Sequence, residues 1–173
     1  SAVRRGARIS RSGENTTIAT VDADAAQLLR NLILKERIGH LATLRGGAPM
    51  ASMTLVLPAH DFGAFYVHVS RLAWHTQDML QDARVALSIA ESDDGRADPF
   101  TLMRVSIRGD ASSFSDNNSL LKEKWLSRFP QQAINFTLAD FSFWEITPRD
   151  ARFVAGFGRI HNLPAEALKN AGA

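Results

Sequence analysis

The stretch FYVHVSRLAWHTQDML, residues 65–80, changes its period halfway along. Phe65, Val67 and Val69 alternate with Tyr66 and His68, the two-residue repeat of a half-buried strand. From Leu72 onward LAWHTQDML reads as a helix. Ser70, Arg71, His75 and Thr76 crowd the joint. If Ser70 caps the helix, the N–H groups of Arg71, Leu72 and Ala73 point outward at its start, where they and the helix dipole favour an anion. Arg71 and His75 then share a helical face, and Thr76 adds a hydroxyl donor, a set suited to a phosphate. The same residues also fit a joint without a ligand, in which Ser70 only caps, Arg71 is solvated and His75 packs beside Trp74.

Around this joint the chain reads as hairpin-connected strands. DADAAQLLRNLILKE is an amphipathic helix that Asp22 or Asp24 can cap. IGHLATLR and APMASMTLVLP are strands joined by Gly46-Gly47, a tight-turn pair. RVALSIAE and LMRVSIRGDA follow, then a helix through NNSLLKEKWLSRF that Asp116 can cap, then FSFWEITP and ARFVAGFG. That gives about seven strands and three helices, without the regular strand–helix alternation of a doubly wound sheet. The pattern predicts a mainly β, α+β fold, an antiparallel barrel with helices packed outside. Arg104, Ser106 and Arg108 share one face of their strand and are placed to line a polar groove or a solvated exterior.

Composition narrows the partners. The chain has 173 residues, 45% hydrophobic and 22% charged, with no Cys. That describes a globular domain with its own core and excludes disulfides and thiolate metal sites. No apolar run is long enough for a membrane span and no secretory leader is evident, so the expectation is a cytoplasmic protein. Arg4, Arg5, Arg8 and Arg11 concentrate the excess positive charge in residues 1–20, and the expectation is a flexible basic arm there, a body at 21–160 and a tail at 161–173. The body lacks a basic platform for nucleic acid. The histidines show no metal-site spacing, and neither a nucleophile elbow nor a Walker loop is present.

The segments GGAPMASMTLVL, GAFYVHVSRLAWHTQDMLQDARVALSI and MRVSIRGDA occur in order with short turns between them. Together they resemble the FMN-binding split-barrel family related to pyridoxamine 5′-phosphate oxidase. The form SRLAWHTQDM and the late pair DFSFWEITP and ARFVAGFGRI are most similar to its heme-utilisation branch. The resemblance implies a six-stranded antiparallel split β-barrel with flanking helices, forming a homodimer with FMN at the interface. It implies that Ser70, Arg71, His75 and Thr76 hold the FMN phosphate. It also places Ser52, Met53 and Thr54 along the flavin ring and Arg104 near it. The expected function is that of an FMN-dependent oxidoreductase acting on a small-molecule substrate, with no catalytic residue assigned. Two alternatives follow from the same resemblance: a heme-binding, heme-utilisation protein, or a non-catalytic flavin-binding dimer. Ser52 stands where pyridoxamine phosphate oxidases carry an Arg, so their substrate is not implied. Some members of the heme-utilisation branch use a late His as heme ligand; His161 is the late histidine here, read as that candidate at the start of an extension or as an exposed loop residue.

Overall fold

The computed structural model describes residues 22–113 and 118–173; the basic arm and Asp116 lie outside them. The elements are α1 (Ala23–Lys35), β1 (Ile38–Arg45), β2 (Ala48–Leu55), β3 (Leu57–Pro58), β4 (Phe65–Ser70), α2 (Trp74–Gln81), β5 (Arg84–Ala90), β6 (Arg104–Ser113), α3 (Ser119–Arg128), β7 (Phe141–Val154), β8 (Ile160–Pro164) and α4 (Ala165–Gly172). Short 3-10 turns at Pro99–Thr101 and Pro130–Thr137 complete them. Asp22 caps α1 by accepting from the Ala25 N–H at 2.7 Å, and Ala25, Leu29, Leu32 and Ile33 form its buried face. Asn118 caps α3, accepting from the Leu121 N–H at 3.1 Å.

All strand pairings are antiparallel, in the order β2-β1-β5-β6-β7-β4-β3, with β8 added to β7. The two ends of that order, β2 and β3, are separated along the chain by Val56 alone. The sheet therefore curls until its edges meet, and the covalent chain joins them. Val56 is anchored on both sides: its N–H donates to the Arg37 carbonyl at 3.0 Å, and its carbonyl accepts from Arg128 Nε at 3.1 Å. The result is an antiparallel split barrel with flanking helices. Gly46 and Gly47 turn the β1–β2 hairpin with φ of 57° and 82°, values that favour glycine.

The sequence reading places two strands late in the chain, FSFWEITP at 141–148 and ARFVAGFG at 151–158. The structure has one strand, β7, which pairs with β4 over Phe141–Ile146 and with β6 over Trp144–Val154. Pro148 is tolerated because it sits opposite Gly109 at a bulge, where the register shifts between Arg108 and Gly109. Gly109 approaches β7 so closely that a Cβ there would collide with the Thr147 carbonyl. The segment after β7 packs into the fold. β8 pairs with β7, and α4 buries Ala167, Leu168 and Ala171 while the Gly172 carbonyl accepts from Arg30. His161 is thus a strand residue, half-buried against Phe153, and not a loop residue.

One core fills the barrel, with Leu41, Phe65, Val67, Leu87, Ile107, Ile146 and Phe153 at its centre. A second, smaller core forms where α3 and the following turn cover the outer face of β4 and β7, from Leu121, Trp125, Phe129 and Phe143. Gly109→Ala is expected to cost about 1–3 kcal/mol, because backbone must move to admit the methyl group. Urea unfolding of the two proteins measures this, and an unchanged midpoint would contradict the close approach.

Candidate functional site

The strand–helix joint assembles differently from the capped helix that the spacing suggests. Ser70 ends β4, and its hydroxyl donates to Asp140 Oδ2 at 2.5 Å while accepting from the Leu72 N–H at 3.1 Å. The Arg71 N–H donates to the Asp140 carbonyl at 2.7 Å, and the Ala73 N–H to the Ser70 carbonyl at 3.1 Å. All three N–H groups expected to face an anion are consumed, that of Arg71 by Asp140 and the other two within a turn at Ser70. That turn delays α2 to Trp74, with Ala73 as a cap residue that makes no side-chain bond. Arg71 therefore lies outside the helix, and the shared helical face with His75 does not exist. Thr76, 2% exposed, donates its hydroxyl to the Ser70 carbonyl at 2.7 Å, so it locks the joint from within.

What remains open at the joint is of another kind. The Arg71 guanidinium is exposed and makes no hydrogen bond or ion pair among the described residues. The N–H groups of Trp74, His75 and Thr76, in the first turn of α2, have no acceptor within the helix. His75 is half-buried, and its Nε2 is buried without a hydrogen-bond partner among the described residues. Desolvation lowers the His75 pKa, opposed in part by the Asp78 carboxylate, so the neutral ring with a lone pair is favoured. Around these groups lie exposed apolar side chains: Leu72 (75% exposed), Trp74 (54%) and, beside Asp140, Leu138 (45%).

A buried carboxylate braces α2 on the barrel. Asp78, 3% exposed, accepts from Thr43 Oγ1 at 2.7 Å and from Arg45 Nη1 at 2.8 Å. The Arg45 guanidinium in turn lies over the Trp74 ring, 4.1 Å from its centroid. Sequence reasoning missed Asp140, Asp78 and Arg45, since their partners lie 70, 35 and 33 positions away and no local pattern reports them.

The other expected site residues are dispersed. Ser52, Met53 and Thr54 lie on β2 opposite Leu41, His40 and Gly39. Strand alternation sends Met53 to one face, exposed, and Ser52 and Thr54 to the other, with Thr54 buried. Arg104 lies against the opposite end of β7 from Ser70, paired with Val154 where Ser70 pairs with Phe141. Its guanidinium donates to the Phe100 and Leu102 carbonyls at 3.2 and 3.0 Å. Ser106 and Arg108 do line a groove of about 520 Å³, with Asp150, Arg152 and Asn162. Arg108 is neutralised by Asp150 through two bonds, whereas Arg152 donates to the uncharged Asn162 at 2.9 Å. Among the described residues no cluster of three or more His, Asp or Glu is placed to hold a metal, and no helix is long and apolar enough to cross a membrane.

Comparison with known proteins agrees with this architecture. A putative pyridoxamine 5′-phosphate oxidase from Listeria innocua superposes with a TM-score of 0.57 at 18% identity, over 72% of this chain and 94% of that one, a likeness of fold. A heme-binding protein from Mycobacterium smegmatis superposes with a TM-score of 0.75 at 26% identity, over 87% of this chain and 62% of that one. The non-canonical heme oxygenase HOZ, chloroplastic, of Arabidopsis thaliana is 33% identical over 111 residues, 64% of this chain and 33% of the plant protein. The chain thus spans about a third of the length of that relative. The chain is therefore similar both to a protein named as a putative pyridoxamine 5′-phosphate oxidase and to proteins named for heme. The family described as "CREG, beta-barrel" matches residues 20–169, and the chain belongs to it.

Two expectations follow from the site. Thr76→Val removes a buried hydrogen bond and is expected to lower stability by about 1–2 kcal/mol in urea unfolding. The second concerns His68, whose ring stacks on Phe136 at 4.2 Å among Trp125, Phe141 and Phe143, with Nδ1 buried and unpartnered among the described residues. Burial pushes its pKa from 6.5 down to about 4. Between those values the unfolded chain binds a proton that the folded chain refuses, so stability falls as pH drops through that window. His68→Phe should flatten this part of the pH–stability curve, and an equal slope in both proteins would contradict the assignment.

Proposed function

We propose that the protein binds heme at the start of α2, as a component of heme utilisation. The observation that carries this reading is the orphaned, buried Nε2 of His75 beside an unpaired Arg71 and an exposed apolar rim of Leu72, Trp74 and Leu138. A neutral imidazole suits an iron ligand, a guanidinium suits a propionate carboxylate, and exposed apolar side chains suit a flat macrocycle. The likeness to a heme-binding protein and a heme oxygenase supports the same choice. When bound, heme would supply iron redox chemistry. His75 would hold the iron, Arg71 would orient the edge of the ring, and Leu72 and Leu138 would exclude water.

A second reading keeps FMN, as in an oxidoreductase of the pyridoxamine 5′-phosphate oxidase type. It is supported by the uncapped first turn of α2, whose N–H groups and dipole beside Arg71 attract a phosphate. It is weakened by the Asp140 carboxylate against Ser70 and by the hydroxyls already bonded within the joint. In this reading the cofactor lies between two copies of the chain, with Ser52, Met53, Thr54 and Arg104 near the ring.

Titration with hemin discriminates the readings. The expected result is a saturable shift of the Soret band that His75→Ala abolishes or moves, with at least tenfold weaker binding, while Arg71→Ala weakens binding about threefold to tenfold. A spectrum unchanged from free hemin, or unaffected by His75→Ala in a folded variant, would remove the heme reading. Quenching of FMN fluorescence that depends on Arg71 would establish the second.

A further inference from the structure

Trp74 is the first residue of α2 and stays 54% exposed, whereas Trp125 and Trp144 are 1% and 4% exposed. An indole at a helix start gains nothing from solvent, and here a dedicated device holds it. The Arg45 guanidinium covers one ring face at 4.1 Å, is fixed through Nη1 to Asp78 at 2.8 Å, and Asp78 is fixed in turn by Thr43 at 2.7 Å. Trp74 and Asp78 are four apart on α2 and share a face, so the clamp closes between the β1 end and one side of the helix. Such a stack restricts the ring without covering its second face.

We propose that the open face of Trp74 is a stacking wall for a planar aromatic ring of the ligand, pre-positioned by the Arg45–Asp78–Thr43 clamp. Trp74 touches the ligand; Arg45 and Asp78 are positioning residues acting through it. Aromatic faces prefer offset stacking on other π systems, and an indole already fixed in place loses little freedom on binding. The ligand class is a porphyrin-like macrocycle, a choice that rests on the heme reading through the neighbouring His75 and Arg71. The clamp itself does not depend on iron.

Metal-free protoporphyrin IX separates the two claims, because it has no iron for His75 to ligate. The expected result is saturable quenching of tryptophan emission with protoporphyrin affinity at least tenfold weaker in Trp74→Ala and within about threefold of wild type in Trp74→Phe. Arg45→Ala should weaken binding as well and, without ligand, raise the acrylamide accessibility of tryptophan emission. Because Arg45→Ala leaves a buried carboxylate short of a partner, Arg45→Lys is the companion variant, retaining the ion pair and losing the flat stack. Equal protoporphyrin binding by wild type and Trp74→Ala overturns the wall, and unchanged accessibility in both Arg45 variants overturns the clamp. Trp74-dependent protoporphyrin binding without a His75-dependent hemin spectrum supports the wall and removes the iron ligand alone. A His75-dependent hemin spectrum that is indifferent to Trp74 overturns the wall alone. Failure of wild type to bind either compound overturns both.

Discussion

The close approach of Gly109 to the Thr147 carbonyl joins the two halves of the barrel. β7 is fourteen residues long and pairs with β6 from Trp144 to Val154 while its first part, Phe141–Ile146, holds β4. A flat strand cannot serve both neighbours around a closed curve. The bulge between Arg108 and Gly109 supplies the bend, and two ion pairs straddle it: Arg108 with Asp150, and Arg149 with Asp110. These pairs are largely exposed, so they add orientation more than stability. The backbone contact sets the geometry, and every position on β4, including Ser70, inherits it.

The same bend explains what could be read in advance. The alternation of Phe65, Val67 and Val69, the Gly46-Gly47 turn and the stripe of Ala25, Leu29, Leu32 and Ile33 are local patterns, and the structure realises each of them. FSFWEITP and ARFVAGFG read as two strands, and only the pairing of Pro148 with Gly109 shows one strand continuing through a bulge. β8 went unread because IHNLP has neither a clean alternation nor β-rich composition; it becomes a strand by pairing with Phe153 and its neighbours.

At the joint the limits of spacing are chemical. Ser70 and Thr76 were correctly placed near one another, yet proximity did not reveal what their hydroxyls bond. Polar groups close to a core find partners within the chain wherever they can, since an unmade bond there is costly. Asp140, 70 positions from Ser70, takes the hydroxyl, and the Ser70 carbonyl takes that of Thr76. The cluster legible in the sequence is thus partly a structural lock; Arg71 and the start of α2 stay open to a ligand, and His75 Nε2 is buried and without a partner among the described residues.

That remainder bears on which ligand the joint can hold. A phosphate requires several unspent donors, which Arg71 and the first turn of α2 still offer, and is repelled by a nearby carboxylate, which Asp140 places against Ser70. A macrocycle carrying two carboxylates and a metal requires flat apolar area, one cation and one lone pair. Trp74 and Leu72 give area, Arg71 gives charge, and desolvation keeps His75 in the form that has a lone pair. Desolvation disfavours an anion site and favours a neutral ligand nitrogen at once. Burial of His75 beside an exposed indole therefore separates the two chemistries more sharply than the count of polar residues at the joint.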